Sequence, residues 1–204
     1  MVGIKKRAHG EASRQRILAA AAEIAGERGY EGTSISLVSK CSGLPASSIY
    51  HHFKDKDDLI AAVVQTSFDR WFHLLQEPTE VPEEAETPEE LFQHAMQGIG
   101  RALFDSPDFL RLGLMLVLEH RPEEPTARKD FLNIRKTVMS HTRIIYTAYF
   151  TDLKPDDIES LVTLTLVLSD GLFLAHEAEN LDLDQGFGLI ALAILGTAEQ
   201  LMKQ

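Results

Sequence analysis

Residues 33 to 56, Thr-Ser-Ile-Ser-Leu-Val-Ser-Lys-Cys-Ser-Gly-Leu-Pro-Ala-Ser-Ser-Ile-Tyr-His-His-Phe-Lys-Asp-Lys, constrain this chain more than any other stretch. They have room for two short helices and a tight turn. Ser34 is a capping residue, and Ile35, Leu37, Val38 and Cys41 fall at near-helical spacing, which casts Cys41 as a small core residue. Gly43 supplies the turn, because positive φ costs it nothing. Pro45 suits the first position of the second helix, where a missing N–H is no loss. In that second helix Ile49 and Phe53 are the inward positions, with Ala46, Ser47, Ser48, Tyr50, His51 and His52 around them. Small residues lead and hydrogen-bonding residues follow, which suits a helix whose N-terminal end enters the major groove of DNA.

Gly-Leu-Pro-Ala-Ser-Ser-Ile-Tyr-His-His-Phe-Lys-Asp-Lys follows a Thr-Ser-Ile start and precedes Leu-Ile-Ala-Ala-Val-Val. In that order and spacing it resembles the DNA-binding domain of the tetracycline-repressor (TetR) family, from about Ser13 to Phe72. The resemblance implies roles position by position. Thr33, Ser34 and Ser36 fall where the family's first motif helix touches backbone phosphates. Ala46, Ser47, Ser48 and Tyr50 fall where base edges are reached, and His51, His52, Lys54 and Lys56 fall at phosphate-contacting positions. The chemistry suits this sorting: hydroxyls donate and accept, Lys binds phosphate as a point charge, and a methyl can touch a thymine methyl. Many relatives carry Ser in place of Pro45 and Lys or Arg in place of Ala46, so the operator sequence does not follow from the resemblance.

A net charge of −11 is at odds with a nucleic-acid partner until it is divided along the chain. Through Lys56 there are nine Lys/Arg and five Asp/Glu, a balance of +4; the rest holds 11 and 26, a balance of −15. The positive field is local to the motif. Residues 1 to 12 read as a soluble tail, or as a basic arm with Lys5, Lys6, Arg7 and His9. The single Cys41 excludes an internal disulfide. No secretory h-region is visible, and no apolar run is expected to reach the ~18 residues of a membrane helix. A cytoplasmic protein is the expectation.

The first helix is expected over about Ser13 to Arg28, with Ile17, Ala21, Ile24 and Ala25 inward and Gly29 as its stop. Asp55, with Asp58 three residues on, caps a helix over 57–76. In it, Leu59 and Val63 are expected to face the DNA-binding domain, and Phe68, Trp71 and Leu75 the second domain. Residues 77 to 88 are acidic and Pro-rich, a solvated connection. Thr87-Pro-Glu-Glu90 is a strong helix start. Ser106-Pro-Asp108 opens another helix, apolar nearly all round. Thr126 to Phe150 reads as one long helix with Phe131, Ile134, Val138, Thr142, Ile145 and Tyr149 inward. Lys154-Pro-Asp156 opens the next, in which Thr163 to Leu168 is helix rather than strand. Asp184 caps the last, Gln185 to about Met202.

The expectation is therefore an all-α protein of about nine helices. A three-helix helix-turn-helix domain with its N-terminal arm occupies 1–56, with 57–76 as a link helix. A larger helical bundle occupies 77–204. One short reading helix makes too few contacts for a specific site, so a homodimer on a palindromic operator is expected. The last two helices would join it, with Phe187, Ala191, Ile194 and Ala198 at the interface. The resemblance also implies an effector pocket in the second domain, for which Met96, Met115, Phe131, Tyr146, Phe173 and His176 are candidates and an apolar or aromatic small molecule the class. The implied activity is ligand-released repression of transcription. Alternatives are a metal effector using His176, Glu177 and Glu179, with Glu119, His120 and His141 as further candidates, no effector, or activation. Neither a His-Glu-x-x-His pair, a Gly-rich phosphate loop nor a Gly-x-Ser-x-Gly elbow occurs, so no enzyme, cofactor, metal or membrane association is expected.

Overall fold

A computed structural model describes residues 2–76, 87–119 and 125–203, with side chains from residue 9 onward. Among the described residues the chain forms nine α-helices and no strand. They are α1 (Val2–Gly32), α2 (Ile35–Ser42), α3 (Ala46–His52), α4 (Lys56–Gln76), α5 (Pro88–Asp105), α6 (Asp108–Leu118), α7 (Thr126–Tyr149), α8 (Pro155–Glu179) and α9 (Leu183–Leu201). Two compact units emerge, one of Met1–Arg70 with Asp108–Asn133, the other of Trp71–Pro107 with Ile134–Gln204. The first takes in α6 and the opening of α7, which the sequence reading had grouped with 77–204. The acidic stretch 77–86 lies outside the described residues.

In the first unit, α1 packs on α2, α3 and α6. Ile17, Leu18, Ala21, Ile24 and Ala25 are its buried stripe, as their spacing predicts. Its backbone starts at Val2 rather than Ser13, so residues 2–12 continue the helix. The side chains of Lys5, Lys6 and Arg7 lie outside the described residues. Gly29 interrupts the helix where its stop was expected, at φ 70° and ψ −179°, a region essentially closed to other residues. Helix resumes to Gly32. Leu59, Ile60, Val63 and Val64 of α4 are fully or almost fully buried. Phe68, expected to face the second domain of 77–204, packs its ring 5.3 Å from Phe109 of α6, which lies in that range though it groups with the first unit, and Phe109 lies 5.5 Å from Phe131. Each such fully buried side chain contributes about 1.5–3 kcal/mol.

In the second unit, α5 opens with the expected capping box: Thr87 Oγ1 accepts from Glu90 N at 3.2 Å and Glu90 Oε2 from Thr87 N at 3.0 Å. The helix lies along α9. Phe92, Tyr146, Tyr149 and Phe150 form one aromatic cluster, with ring centroids 4.8 to 5.8 Å apart. Tyr146 takes the inward position on α7 that the sequence reading gave to Ile145, and Ile145 is exposed. A drift of one residue over about four turns from Phe131 accounts for that, since 3.6 residues per turn does not repeat evenly. Arg135 grips Asp170 in a two-pronged pair at 2.9 and 2.6 Å, and Arg143 pairs with Glu159, fastening α7 to α8. Thr163 to Leu168 is helical.

Two expectations for this unit change. Asp182, not Asp184, caps α9, accepting from Gln185 N at 3.1 Å; Asp184 lies in the first turn and pairs with Arg101 at 2.6 Å. Phe187, Ala191, Ile194 and Ala198, assigned to a dimer interface, are 0 or 1% exposed within the single chain. They form the inward face of α9, so they cannot meet a second copy. Finally, α8 is long and apolar enough to cross a membrane by length and composition, contrary to the sequence reading, with 28% of its apolar window buried inside the chain.

Candidate nucleic-acid interface

The motif is held by local chemistry that the sequence contains almost in full. Ser34 Oγ accepts from Leu37 N at 3.2 Å and starts α2. Gly43 ends it at φ 65°, ψ 21°, left-handed as its position demands. Three side chains then lock the turn. Ser39 Oγ donates to Leu44 O at 2.7 Å, Ser42 Oγ accepts from Leu44 N at 3.3 Å, and Arg16 Nη2 reaches from α1 to Ser42 O at 2.6 Å. Pro45 is extended, at φ −64° and ψ 151°, and precedes the helix as its cap residue instead of occupying its first turn.

One side of α3 is anchored and the other is presented. Ile49 and the following Phe53 are 0 and 3% exposed, and the Arg14 guanidinium sits 5.5 Å above the Phe53 ring. Opposite them, Ser47, Tyr50 and His51 are exposed, with Tyr50 at 57%. Ala46, Ser48 and His52 are half-buried at the rim of that face, and the His51 and His52 rings meet edge-on at 5.2 Å. Ser34, Ser36 and Lys54 are exposed on the same motif. An exposed face carrying hydroxyls, a phenol and imidazoles, flanked by an ammonium, can donate to and accept from base edges and phosphate oxygens.

Two predicted DNA contacts have partners within the chain. Thr33 is 1% exposed, and its hydroxyl donates to Gly29 O at 2.8 Å. It secures the bend of α1 rather than a phosphate. Lys56 Nζ donates to Tyr30 O at 3.2 Å, lies 4.2 Å above the Tyr30 ring and faces Glu31 at 3.7 Å. Cys41 also departs from expectation: it is exposed, with Sγ 3.6 Å from Glu23 Oε2. Local desolvation and the Glu23 and Glu27 carboxylates push its thiol up from the ordinary value, so it is a poor nucleophile.

Sequence reasoning missed the way the first turn of α4 is tied down. Asp55 and Asp58 were legible as a cap, and Asp58 N does donate to Asp55 Oδ1 at 2.9 Å. Asp57, between them, accepts from Thr126 N at 2.8 Å and Ala127 N at 3.3 Å, capping a helix 69 residues further on. No local pattern marks such a bond.

The effector candidates are divided between the two units. Met115 and Phe131 belong to the first unit, and Phe131 is fully buried. In the second unit, Met96, Tyr146 and Phe173 are closely packed core, at 5, 2 and 1% exposure. Only His176 of the six lines a cavity of about 620 Å³, together with Arg101, Phe104, Asp105, Leu181 and Asp184. Its Nδ1 donates to Leu181 O at 2.7 Å, which leaves Nε2 as the nitrogen available to a ligand. Among the described residues no three His, Cys, Asp or Glu side chains gather to hold a metal ion.

A short helix seated on a tight glycine turn, with one buried and one presented face, defines a helix-turn-helix protein. Residues 17–63 match the family described as bacterial regulatory proteins, tetR family. Over this N-terminal segment, about a quarter of the chain, the sequence is similar to that family. It is 35% identical over 68 residues to the HTH-type transcriptional regulator UidR of Escherichia coli K12, covering 33% of this chain and 35% of that one. It is 34% identical over 65 residues to the transcriptional repressor AcnR of Corynebacterium glutamicum, covering 32% and 35%. The match thus spans about a third of the length of these relatives. Over 90% of this chain and 96% of the other, the fold is similar to a transcriptional regulator from Rhodococcus sp. Rha1, with TM-score 0.68 and 20% identity. Over 89% and 97% it is similar to PfmR of Thermus thermophilus, described as a TetR family regulator, at 0.65 and 19%. At such identities the likeness is one of fold.

Proposed function

We propose that this protein is a transcriptional repressor of the TetR type, acting in the cytoplasm. It binds a palindromic operator as a homodimer and is released by a small molecule with an apolar or aromatic body. The observation that carries the reading is the division of α3 into a buried side, Ile49, and a presented side, Ser47, Tyr50 and His51. Nothing in packing requires Tyr50 to stand 57% exposed, whereas contact with a groove does. The domains proposed are the motif with α1 and the start of α4 for DNA, and the helices from α5 onward for ligand and dimer.

The outer faces of α8 and α9 support the dimer. On α8, Thr163, Val167, Gly171 and Leu174 are exposed at helical spacing, and on α9 so are Leu189, Leu192 and Gly196. A Cβ added at Gly171 or Gly196 would meet nothing, so both faces are open. A self-complementary apolar face of that kind fits a two-fold pair. Repression rather than activation draws on the relative AcnR, a repressor, and release by ligand on the presence of a cavity of ligand size in the second unit.

Selection of bound fragments from random and genomic duplexes, followed by sedimentation of the free protein, tests the reading. Inverted half-sites one helical turn apart, bound by a dimer, are expected. Failure to enrich any sequence, or enrichment of single unpaired half-sites by a monomer, would sink it.

A further inference from the structure

We propose that Asp57 is a positioning residue for DNA binding: its carboxylate ties the first turn of α4 to the start of α7 and thereby holds the end of α3. This rests on the reading of α3 as the helix that contacts DNA.

Three consecutive side chains at the start of α4 each hold a different element. Lys56 Nζ donates to Tyr30 O at 3.2 Å and so holds the end of α1. Asp58 Oδ2 accepts from Lys54 N at 2.9 Å, one residue beyond the Phe53 that closes α3. Asp57 accepts from the first two amides of α7 at 2.8 and 3.3 Å. One turn of helix is thus the common mount of α1, α3 and α7. Its orientation is over-determined only while all three ties hold.

Among the described residues the tie to α7 has no local substitute. Pro125 precedes that helix and offers no side-chain acceptor, and its first turn carries no acidic residue. The unsatisfied amides and the positive end of the helix dipole are met by Asp57 alone among the described partners of Thr126 and Ala127. A carboxylate that accepts two backbone amides is held in place itself, so the restraint acts both ways. Removing it frees the first turn of α4 to rotate, and Asp58 carries that freedom to Lys54 and the end of α3.

A capping role and a positioning role can be separated. Pro125→Ser gives α7 its own cap, because a serine at that position can accept from its first turn. Asp57→Ala should weaken affinity for the duplex selected by the wild type about tenfold, the scale of one lost cap, and speed amide exchange over residues 46–53. The double variant Asp57→Ala, Pro125→Ser should regain the melting temperature yet keep the weak affinity and the fast exchange. If affinity and slow exchange return together with the melting temperature, or if Asp57→Ala alters neither, the proposal fails. Should Asp57→Ala not fold, the double variant and Asp57→Asn, which keeps one acceptor, give the same comparison. If the wild type selects no duplex, the regulatory reading fails, while exchange over 46–53 still decides the joint.

Discussion

At the scale of single residues, similar side chains in the motif have unlike fates. Lys54 and Lys56 are two positions apart in sequence, and both are basic residues flanking α3. Lys54 is exposed, whereas Lys56 is fastened to Tyr30 and Glu31. Each phosphate contact adds about one to the steepness of log affinity against log salt. Lys54→Ala should therefore lower that slope by about one, and Lys56→Ala should leave it unchanged while costing stability. A filter-binding series from low to high salt reads both. Ile49 and Tyr50 make a second such pair. Ile49→Ala should cost about 2–5 kcal/mol of stability, as a deletion in a packed core does. Tyr50→Ala should stay within about 0.5 kcal/mol of wild type in stability and still lose DNA affinity. Thermal melts beside binding curves would show the split; a Tyr50→Ala variant that binds normally counts against the proposed face.

At the scale of elements, α7 and α8 are joined by a buried hydrogen bond whose direction can be assigned. Thr165 Oγ1 donates its one proton to Leu161 O at 2.8 Å. Tyr146 must then be the donor in the 2.7 Å contact between the two hydroxyls. Burial, the largest cause, pushes the Tyr146 phenol up to about 12. The folded state thus holds its proton through a range in which the unfolded chain gives it up. The unfolded state binds fewer protons there, so stability falls as pH rises from about 10 to about 12. The loss approaches roughly 3 kcal/mol at the top of that window. Tyr146→Phe should flatten this alkaline limb relative to wild type in urea melts. An unchanged limb would mean that another group titrates.

At the scale of the whole molecule, the faces of α9 separate fold from assembly. Leu192 is exposed, and Ala191 beside it is fully buried. Leu192→Glu should give a folded monomer with weak DNA binding, since one reading helix makes too few contacts alone. Ala191→Glu should fail to fold, since it buries an unpaired charge. Sedimentation with circular dichroism distinguishes the two, and a dimeric Leu192→Glu protein would move the interface elsewhere.

The sequence alone determined whatever depends on near neighbours. Ser34, Gly43, Thr87 and Asp55 act within four residues of themselves, so the caps, the tight turn and the all-helical character were legible. So was the presented face of α3, because a seven-residue helix with Ile49 inward leaves little choice. The tertiary structure alone decided which side of each longer helix is free and which distant groups meet. Apolar residues lie on two faces of α9, and only the packing of α5 shows that Phe187 and Ala191 are claimed inside. Thr33 and Lys56 have polar side chains that chain partners or phosphate could satisfy equally well. Asp57 looks like one more acid in a helix start until Thr126 arrives beside it. Spacing along a chain governs local backbone bonds, but competition for a side chain is settled by whatever the fold brings within 3 or 4 Å of it.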